Sequence, residues 1–312
     1  MLSKSDINTI DRYYVNVLCG LLKLHNKTPR CVVLFLAGSL PASALLHLRQ
    51  VGLFSMICRS GYRNGILFNY AIDYFESKSQ RKSSWFSQIV RICEKYSLPS
   101  PLSLLRHPPD KESFKIFAKK RVLSYWEDLL RTESSSLKSL QFIKPSYMSL
   151  SRPHPLFTSA GSSPAMVSMA CVQARMLSGR FRCDSLLRHW SRATSGTCKL
   201  SSSCDEMEDI GHILQRCHAL EPKLIKLLSY MYNMLDSLPI YTQNLVRNYC
   251  DLSSPFFCQF LLDCSCLPDV ISTGQKHGSD VLLQLFKISR TWVYSLHRER
   301  LKLRDSWRAL TD

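Results

Sequence analysis

The chain has 312 residues and carries 41 Lys and Arg against 24 Asp and Glu, a formal net charge of +17. With 45% hydrophobic and 10% aromatic residues it has the composition of a globular protein, which excludes a chain that is disordered throughout. Its length allows two domains, or one large one, with a buried core. A positive excess of this size attracts polyanions, nucleic acid above all, although charge alone fits general solubility equally well.

No targeting or membrane signal is visible in the sequence. The first residues, MLSKSDINTIDRYYVN, lack the apolar stretch of a signal peptide. The longest apolar run, residues 31–37 (CVVLFLA), is too short to span a bilayer. We therefore expect an intracellular protein, in the cytoplasm, the nucleus or both, with no membrane association. The 13 cysteines sit mostly in apolar runs and are expected to be buried thiols rather than disulfide partners.

Helical patterns extend over almost the whole chain. Apolar side chains recur at helical spacing, and Asp110, which follows two prolines, is the predicted N-cap of the long fourth helix. No series of alternating strands and no internal repeat is visible. The predicted fold class is therefore mainly α, an irregular helical assembly. The predicted helices cover residues 6–25, 41–59, 83–96, 110–131, 164 onward, 219–236 and 278–309.

A segment rich in Ser and Pro, residues 133–163, shows no clean periodicity. Such composition is typical of irregular connecting chain. We therefore divide the sequence into a helical region at 1–132, a connector at 133–163, and a basic helical region at 164–312.

Residues 198–217, CKLSSSCDEMEDIGHILQRC, place three cysteines and one histidine within one short segment. The spacing is Cys198-x5-Cys204-x7-His212-x4-Cys217, and three thiolates with one imidazole form a closed structural zinc set. The Ser-rich insert between the first two ligands permits a turn. On an α-helix the last two ligands would lie roughly 140° apart, so Cys217 is expected at or just past a helix end. Spacing alone leaves open a zinc site or a chance cluster in a cysteine-rich chain.

This knuckle segment (residues 198–217) resembles the Cys-Cys-His-Cys motif near the end of non-LTR (LINE-type) retrotransposon polyproteins, downstream of the reverse transcriptase domain. DEMEDIGHILQRC matches the family's acidic stretch followed by His-Ile-Leu-x-x-Cys, and the first gap of five residues is longer than in most members. The preceding GRFRCDSLLRHWSR resembles another block of that family. TPRCVVLFLAGSLPASALLHLRQVGLF, in residues 1–132, is similar to the segment after the polymerase thumb, and RTWVYSLHRERLK to the end of such reading frames. The resemblance implies that the four ligands bind a structural zinc ion in a small insertion of the helical assembly.

The resemblance also indicates what the chain lacks. A reverse transcriptase needs paired aspartates that hold two metal ions, and the sequence contains no Asp-Asp pair. The endonuclease of such elements is absent as well, and no P-loop, HExxH or Gly-x-Ser-x-Gly motif is present. We therefore predict that the chain is not an enzyme and acts on no small-molecule substrate.

Binding is the remaining chemistry, and three basic clusters are candidates. The clusters on the helix after Asp110 and on the last helix are interpreted as solvated helix faces. The cluster before the knuckle segment is preferred for contact with RNA or single-stranded DNA, because arginine grips phosphates in a planar fork. Its aromatic residues Phe181 and Trp190 are expected to be buried rather than stacked on bases. The predicted nucleic-acid-binding residues are Arg175, Arg180, Arg182, Arg188 and Arg192.

Two functions of different class remain open from the sequence. The first is a zinc-stabilised, non-catalytic nucleic-acid-binding portion of a retrotransposon-derived protein. The alternative is an inert or host-coopted remnant that acts at most as a protein-interaction scaffold. Because phosphate contacts make affinity fall with salt, salt-dependent binding to a nucleic acid distinguishes the two.

Overall fold

The computed structural model describes residues 3–60, 65–76, 84–189, 195–237, 249–266 and 279–311, with the single positions 240, 243 and 247. Within these ranges the only β-structure is an isolated bridge between Thr197 and Met207. The prediction of a mainly α fold is therefore confirmed. The described α-helices are α1 (Lys4–Leu21), α2 (Arg30–Ala37), α3 (Ala42–Ser60), α4 (Ile66–Glu76), α5 (Trp85–Lys95), α6 (Pro101–Arg106), α7 (Lys111–Ser135), α8 (Pro155–Thr158), α9 (Pro164–Leu177), α10 (Asp184–His189), α11 (Glu221–Asp236), α12 (Phe257–Asp263) and α13 (Ser279–Thr311).

Capping residues set several helix starts as the sequence predicts. The Asp110 carboxylate accepts hydrogen bonds from the backbone N–H groups of Glu112 and Ser113, at 3.1 and 3.0 Å, so Asp110 is the N-cap of α7. Helix α9 begins at Pro164, where proline loses no intrahelical hydrogen bond. Helix α7 continues to Ser135, a few residues beyond the predicted end.

Five helices, α2, α4, α6, α8 and α12, lie where the sequence pattern predicts none. Helices α2 and α6 have eight and six residues, too few for a periodic apolar face to show. Helix α4 (ILFNYAIDYFE) does carry a helical pattern that the prediction omits, because its polar residues Asn69, Asp73 and Glu76 recur at i, i+4 and i+7. Helix α2 ends at Gly38, where φ is +61° and a Cβ atom would come within 2.0 Å of the Arg152 backbone. Glycine thus lets the connector pass directly over this helix end.

Helices α2 and α3 form a bent pair. The six residues 31–36 of α2 are all buried, and α3 packs against α1, α5, α6 and α7. Among the described helices none is by itself long and apolar enough to cross a membrane, whereas α2 and α3, bent by 60°, satisfy length and composition only when taken together.

The second half of the chain is built around α13. This helix packs against α9 and α12 along its length and also contacts α8 and α11. Trp292, Val293 and Leu296 on its inner side are buried, and Trp292 packs edge-on against Phe257 of α12 at a centroid distance of 5.3 Å. The buried apolar side chains of both halves belong to one continuous core.

Residues 133–163, the predicted connector, pack between the two halves. The segment contains short 3₁₀ turns and α8, and several of its apolar side chains, including Leu140, Met148 and Leu156, are buried. The His154 backbone N–H donates to the Leu36 carbonyl of α2 at 3.1 Å, and its imidazole lies 3.4 Å from the Asp263 carboxylate of α12. Arg290 of α13 donates to the Leu156 carbonyl at 3.0 Å. The division into separable regions is a prediction from the sequence alone, and these contacts across the segment favour coupled halves.

The cysteine side chains that the structure describes are all buried, and none of them forms a disulfide. Burial raises the pKa of Cys58 to about 12 and that of Cys93 to about 11, so these thiols stay protonated at neutral pH. Cys250, Cys258 and Cys264 near the tail are likewise buried in apolar surroundings. The interpretation of most cysteines as buried thiols is confirmed for the described positions; the Cys266 side chain lies outside them.

Candidate metal centre and the adjoining basic segment

The knuckle segment folds back on itself through backbone hydrogen bonds. The Cys198 N–H donates to the Glu206 carbonyl at 2.8 Å, and the Glu208 N–H donates to the Gly196 carbonyl at 3.0 Å. Between these contacts the Ser-rich insert turns, with the Cys204 N–H donating to the Ser201 carbonyl at 3.2 Å. The turn predicted from the insert therefore brings the first two ligands together.

The four predicted ligands converge on one point. Their ligand atoms all lie within 4.8 Å of one another. The Sγ atoms of Cys198 and Cys217 are 3.8 Å apart, and Cys204 Sγ is 3.5 Å from His212 Nε2. A tetrahedral zinc ion, with bonds of about 2.3 Å to sulfur and about 2.0–2.1 Å to nitrogen, requires separations of about 3.8 and 3.5 Å for such pairs. These two pairs therefore fit zinc in distance, and all four residues fit it in donor type.

All four ligands are buried, at 5% or less relative exposure. A site with four protein ligands and no solvent-facing position is the structural kind, because a catalytic zinc keeps one position open for water or substrate. Among the described residues no other group of His, Cys, Asp and Glu side chains could hold a metal ion. The chance-cluster alternative for the thiols and His212 is thereby disfavoured, because unrelated side chains would not share one centre.

A widened helical turn places the last two ligands side by side. Residues His212–Arg216 form a π-helical turn, closed by a 2.9 Å hydrogen bond from the Cys217 N–H to the His212 carbonyl. Cys217 follows with extended backbone, at φ −68° and ψ 112°. The expectation that Cys217 stands just past a helix end is confirmed. The π turn supplies the rotation that an α-helix would not give at this spacing.

Acidic side chains orient the imidazole. His212 Nδ1 lies 3.1 Å from the Glu206 carboxylate, which leaves Nε2 to face the three sulfurs. The Asp209 carboxylate accepts from the His212 backbone N–H at 2.6 Å, and Arg216 contacts both carboxylates at 3.3–3.4 Å. A carboxylate on the outer nitrogen of a metal-binding histidine fixes its tautomer and increases its basicity. The acidic residues of the segment thus serve the site itself.

The ligands have altered acidity in this arrangement. The hydrogen bond to Cys217, together with burial, raises the pKa of Cys198 to about 12. Accepting that bond lowers the pKa of Cys217, whereas burial raises the pKa of Cys204. For His212, burial lowers the pKa, but contacts with Cys198 and Glu206 outweigh it and raise the value. A metal ion must therefore displace protons as it binds, so its affinity falls at low pH.

A buried ion pair connects the knuckle segment to the last helix. Arg300 of α13 donates from Nε and Nη2 to the Glu208 carboxylate, both at 2.8 Å, and these side chains are 2% and 0% exposed. The same carboxylate accepts from the Asp184 N–H at 2.7 Å at the start of α10. Arg304 in turn contacts the Asp184 carboxylate at 2.7 Å. This network joins the metal centre, α10 and α13.

The predicted nucleic-acid-binding arginines are distributed over three local structures. Arg175 lies in the last turn of α9 and donates from Nε to the Lys23 carbonyl at 2.7 Å. Arg180 is half-buried in the following turn, whereas Arg182 is exposed. Arg188 is exposed on α10, where it donates to the Ser195 carbonyl at 3.2 Å. Arg192 lies outside the described residues.

Gly196 determines how closely the loop of the candidate metal centre approaches α10. Its φ is +75°, and a Cβ atom there would lie 2.9 Å from Cδ of Arg188. The aromatic Phe181 is 5% exposed and packs edge-on against His297 at 5.4 Å, so its expected burial is confirmed. Trp190 lies outside the described residues. No described aromatic side chain of this segment is thus free to stack on a base.

The last helix departs from the sequence interpretation. Its basic cluster is interpreted from the sequence as a solvated face, but Arg290 and Arg300 are 0% and 2% exposed. Arg290 donates to the Leu156 carbonyl, and Arg300 pairs with Glu208. The sequence gives no local signal for these contacts, because their partners are more than 90 residues away. Glu206, Glu208 and Arg300 are the supporting residues that sequence reasoning missed.

A comparison of the chain with protein-family models, with curated proteins and with solved structures finds no match.

Proposed function

We propose that the chain is a non-catalytic nucleic-acid-binding portion of a retrotransposon-derived reverse transcriptase protein, held in shape by a structural zinc ion. The observation that carries the proposal is the convergence of Cys198, Cys204, His212 and Cys217 at zinc-like distances. These are the positions that the resemblance to retrotransposon polyproteins assigns to the metal.

The metal centre supports the basic segment beside it. Glu208, two residues after Glu206, holds the start of α10 through the Asp184 N–H, and Gly196 lies against Arg188. A surface that is already ordered loses less side-chain entropy when it meets a phosphate chain. Arg182 and Arg188 are the exposed arginines of this surface and the natural contacts for phosphates of RNA or single-stranded DNA.

Fluorescence anisotropy with a labelled single-stranded RNA and DNA tests this function. The zinc-loaded chain should bind with micromolar or weaker affinity, which falls as salt increases. The double variant Arg182→Ala, Arg188→Ala should bind more weakly, and its log–log salt slope should decrease by about 1.4, at about 0.7 per phosphate contact for a single strand.

The matched control is Lys115→Ala, Lys119→Ala, which removes two exposed charges from α7. It should leave both the affinity and the salt slope nearly unchanged. If the wild type fails to bind at low salt, or if the two double variants behave alike, the proposal gives way to a remnant without retained nucleic-acid binding.

A further inference from the structure

A cavity of about 620 Å³ lies between the turn after α1, the end of α9, the segment before α10 and the helix α13. This volume is in the range of sites for small organic ligands and exceeds what one inorganic ion needs. Its walls combine basic residues with apolar ones such as Leu24, Leu187 and Leu301. The cavity therefore has the mixed character of a site for a charged ligand with an apolar part.

Four cations of the wall have no acidic partner in the part of the chain that the structure describes. Arg300 and Arg304 also line the cavity, but Glu208 and Asp184 neutralise them. The unpaired cations are Lys23, Arg175, Arg180 and Arg182. Against Asp305, the acidic residue of the wall, they leave a formal excess of 4 − 1 = +3. Like charges around a concave surface repel one another and concentrate anions.

Two groups of the wall also have unused hydrogen-bonding capacity. Arg180 Nε and His297 Nδ1 are buried and have no hydrogen-bond partner among the described residues. A buried polar atom without a hydrogen-bond partner destabilises the folded chain, and this free-energy penalty is larger when the group is charged. Both residues line the same cavity, so one ligand could satisfy both.

The chemistry of the wall favours phosphate over carboxylate. Three of the four unpaired cations are arginines, whose planar forks match phosphate oxygens, and Leu24, Leu187 and Leu301 suit a sugar and base. We propose that this cavity binds a single phosphate-bearing nucleotide unit, with its phosphate held by Arg180 and its neighbours. The inference deepens the proposed function, because it assigns part of the arginine segment to one pocket instead of an open surface.

Arg175 fixes the backbone at one rim of the cavity. Lys23 adopts φ +51°, a left-handed conformation that favours glycine, and its carbonyl accepts the Arg175 hydrogen bond at 2.7 Å. The Lys23 side chain is exposed. It can therefore be changed without disturbing the core, which makes it a safe test position.

Isothermal titration with uridine 5′-monophosphate, and with uridine as the phosphate-free comparison, tests the pocket. The wild type should bind the monophosphate and not the nucleoside. Arg180→Gln should weaken binding at least tenfold and Lys23→Gln severalfold. Lys119→Gln, which removes an exposed cation of α7 outside the cavity, should leave the affinity for the monophosphate unchanged. Circular dichroism establishes that each variant is folded, and if Arg180→Gln is not, Lys23→Gln carries the test.

Equal binding of nucleotide and nucleoside, no binding of either, or an equal loss of affinity in Lys119→Gln would overturn the proposed pocket. If hexaglutamate binds as tightly as the nucleotide, the pocket is instead a site for an acidic peptide. A decanucleotide with and without a 5′-phosphate identifies the source: preference for the phosphorylated strand indicates a strand end, and equal binding indicates a free nucleotide. Strand binding without nucleotide binding defeats this inference alone, and nucleotide binding without strand binding defeats the proposed nucleic-acid function alone.

Discussion

At the scale of single residues, Glu206 orients His212, a candidate metal ligand. The sequence predicted His212 as a ligand but did not indicate that Glu206 is its hydrogen-bond partner. Its carboxylate lies 3.1 Å from His212 Nδ1 and is half exposed. Its hydrogen bond to the imidazole is the first cause of its own lowered pKa, so the carboxylate stays ionised near neutrality. An ionised partner on Nδ1 keeps the lone pair of Nε2 available for a metal ion.

We predict that Glu206→Gln lowers zinc affinity by about 10- to 100-fold, because the imidazole loses a charged acceptor. Competition with a chromophoric chelator measures the change. Glu221→Gln is the control, because Glu221 is exposed and contacts only the exposed His218, at 3.9 Å. Equal zinc affinity in the two variants would show that Glu206 does not support the metal ligand.

His297 gives the molecule a dependence on pH. Burial, followed by the charges of Arg300, Arg175 and Arg298, lowers its pKa to about 4. In the unfolded chain this histidine binds a proton near pH 6.5, whereas in the folded chain it stays neutral until the pH is much lower. The stability that this histidine preserves is complete above pH 6.5 and is lost as the pH falls from 6.5 toward 4.

We expect the free energy of unfolding to fall less in His297→Gln than in the wild type when the pH is lowered from 6.5 to 5. The difference should be at most about 2 kcal/mol, at about 1.4 kcal/mol per pH unit. Urea unfolding in phosphate-free buffer measures it. The control His218→Gln changes an exposed histidine and should follow the wild type. Parallel pH profiles for all three proteins would exclude His297 as the source.

At the scale of elements, contacts between residues close together in the sequence could be predicted, whereas contacts between residues far apart in the sequence could not. The four candidate metal ligands lie within one 20-residue segment, so spacing made a common site one of two open interpretations, and the resemblance favoured it. Helix α7 was predicted from Asp110 because a cap acts on its own helix. The π turn before Cys217 leaves no such local pattern. The pairing of Glu208 with Arg300 spans 92 residues and depends on how α13 packs.

That pair makes α13 part of the metal centre's support. We predict that Glu208→Gln or Arg300→Met destabilises the protein by about 3–5 kcal/mol, because either leaves the other charge buried alone. The double variant should be less destabilised than the sum of the two. Chemical denaturation measures all three.

Arg298→Ala is the control for this cycle, because Arg298 is exposed on the same helix and should change stability by less than about 0.5 kcal/mol. Additive single effects, or a loss in Arg300→Met no larger than that in Arg298→Ala, would contradict a coupled buried pair.

At the scale of the whole molecule, the connector decides whether the two halves behave as one. His154 contacts both α2 and α12, and Arg290 of α13 contacts α8. The buried side chains of both halves also form one core. Composition marked residues 133–163 as a boundary because Ser and Pro interrupt helical periodicity. It could not reveal that the segment's apolar side chains pack against both sides.

We predict a single cooperative unfolding transition for the chain, because contacts across the connector couple the two halves. Calorimetry should give equal calorimetric and van't Hoff enthalpies. Two separated transitions, with limited proteolysis cutting first between residues 133 and 163, would instead establish 1–132 and 164–312 as independent regions.

Metal analysis of the purified chain tests the account most directly, because the proposed zinc centre lies beside the basic segment and is joined to α13 through Glu208. One zinc per chain is expected for the wild type. Cys217→Ser should lose it, and Cys93→Ser, the same change at a buried thiol remote from the site, should retain it. Chelator should destabilise the wild type and Cys93→Ser but leave Cys217→Ser unaffected. A wild-type chain without zinc, whose stability does not change on adding zinc or chelator, would contradict the account.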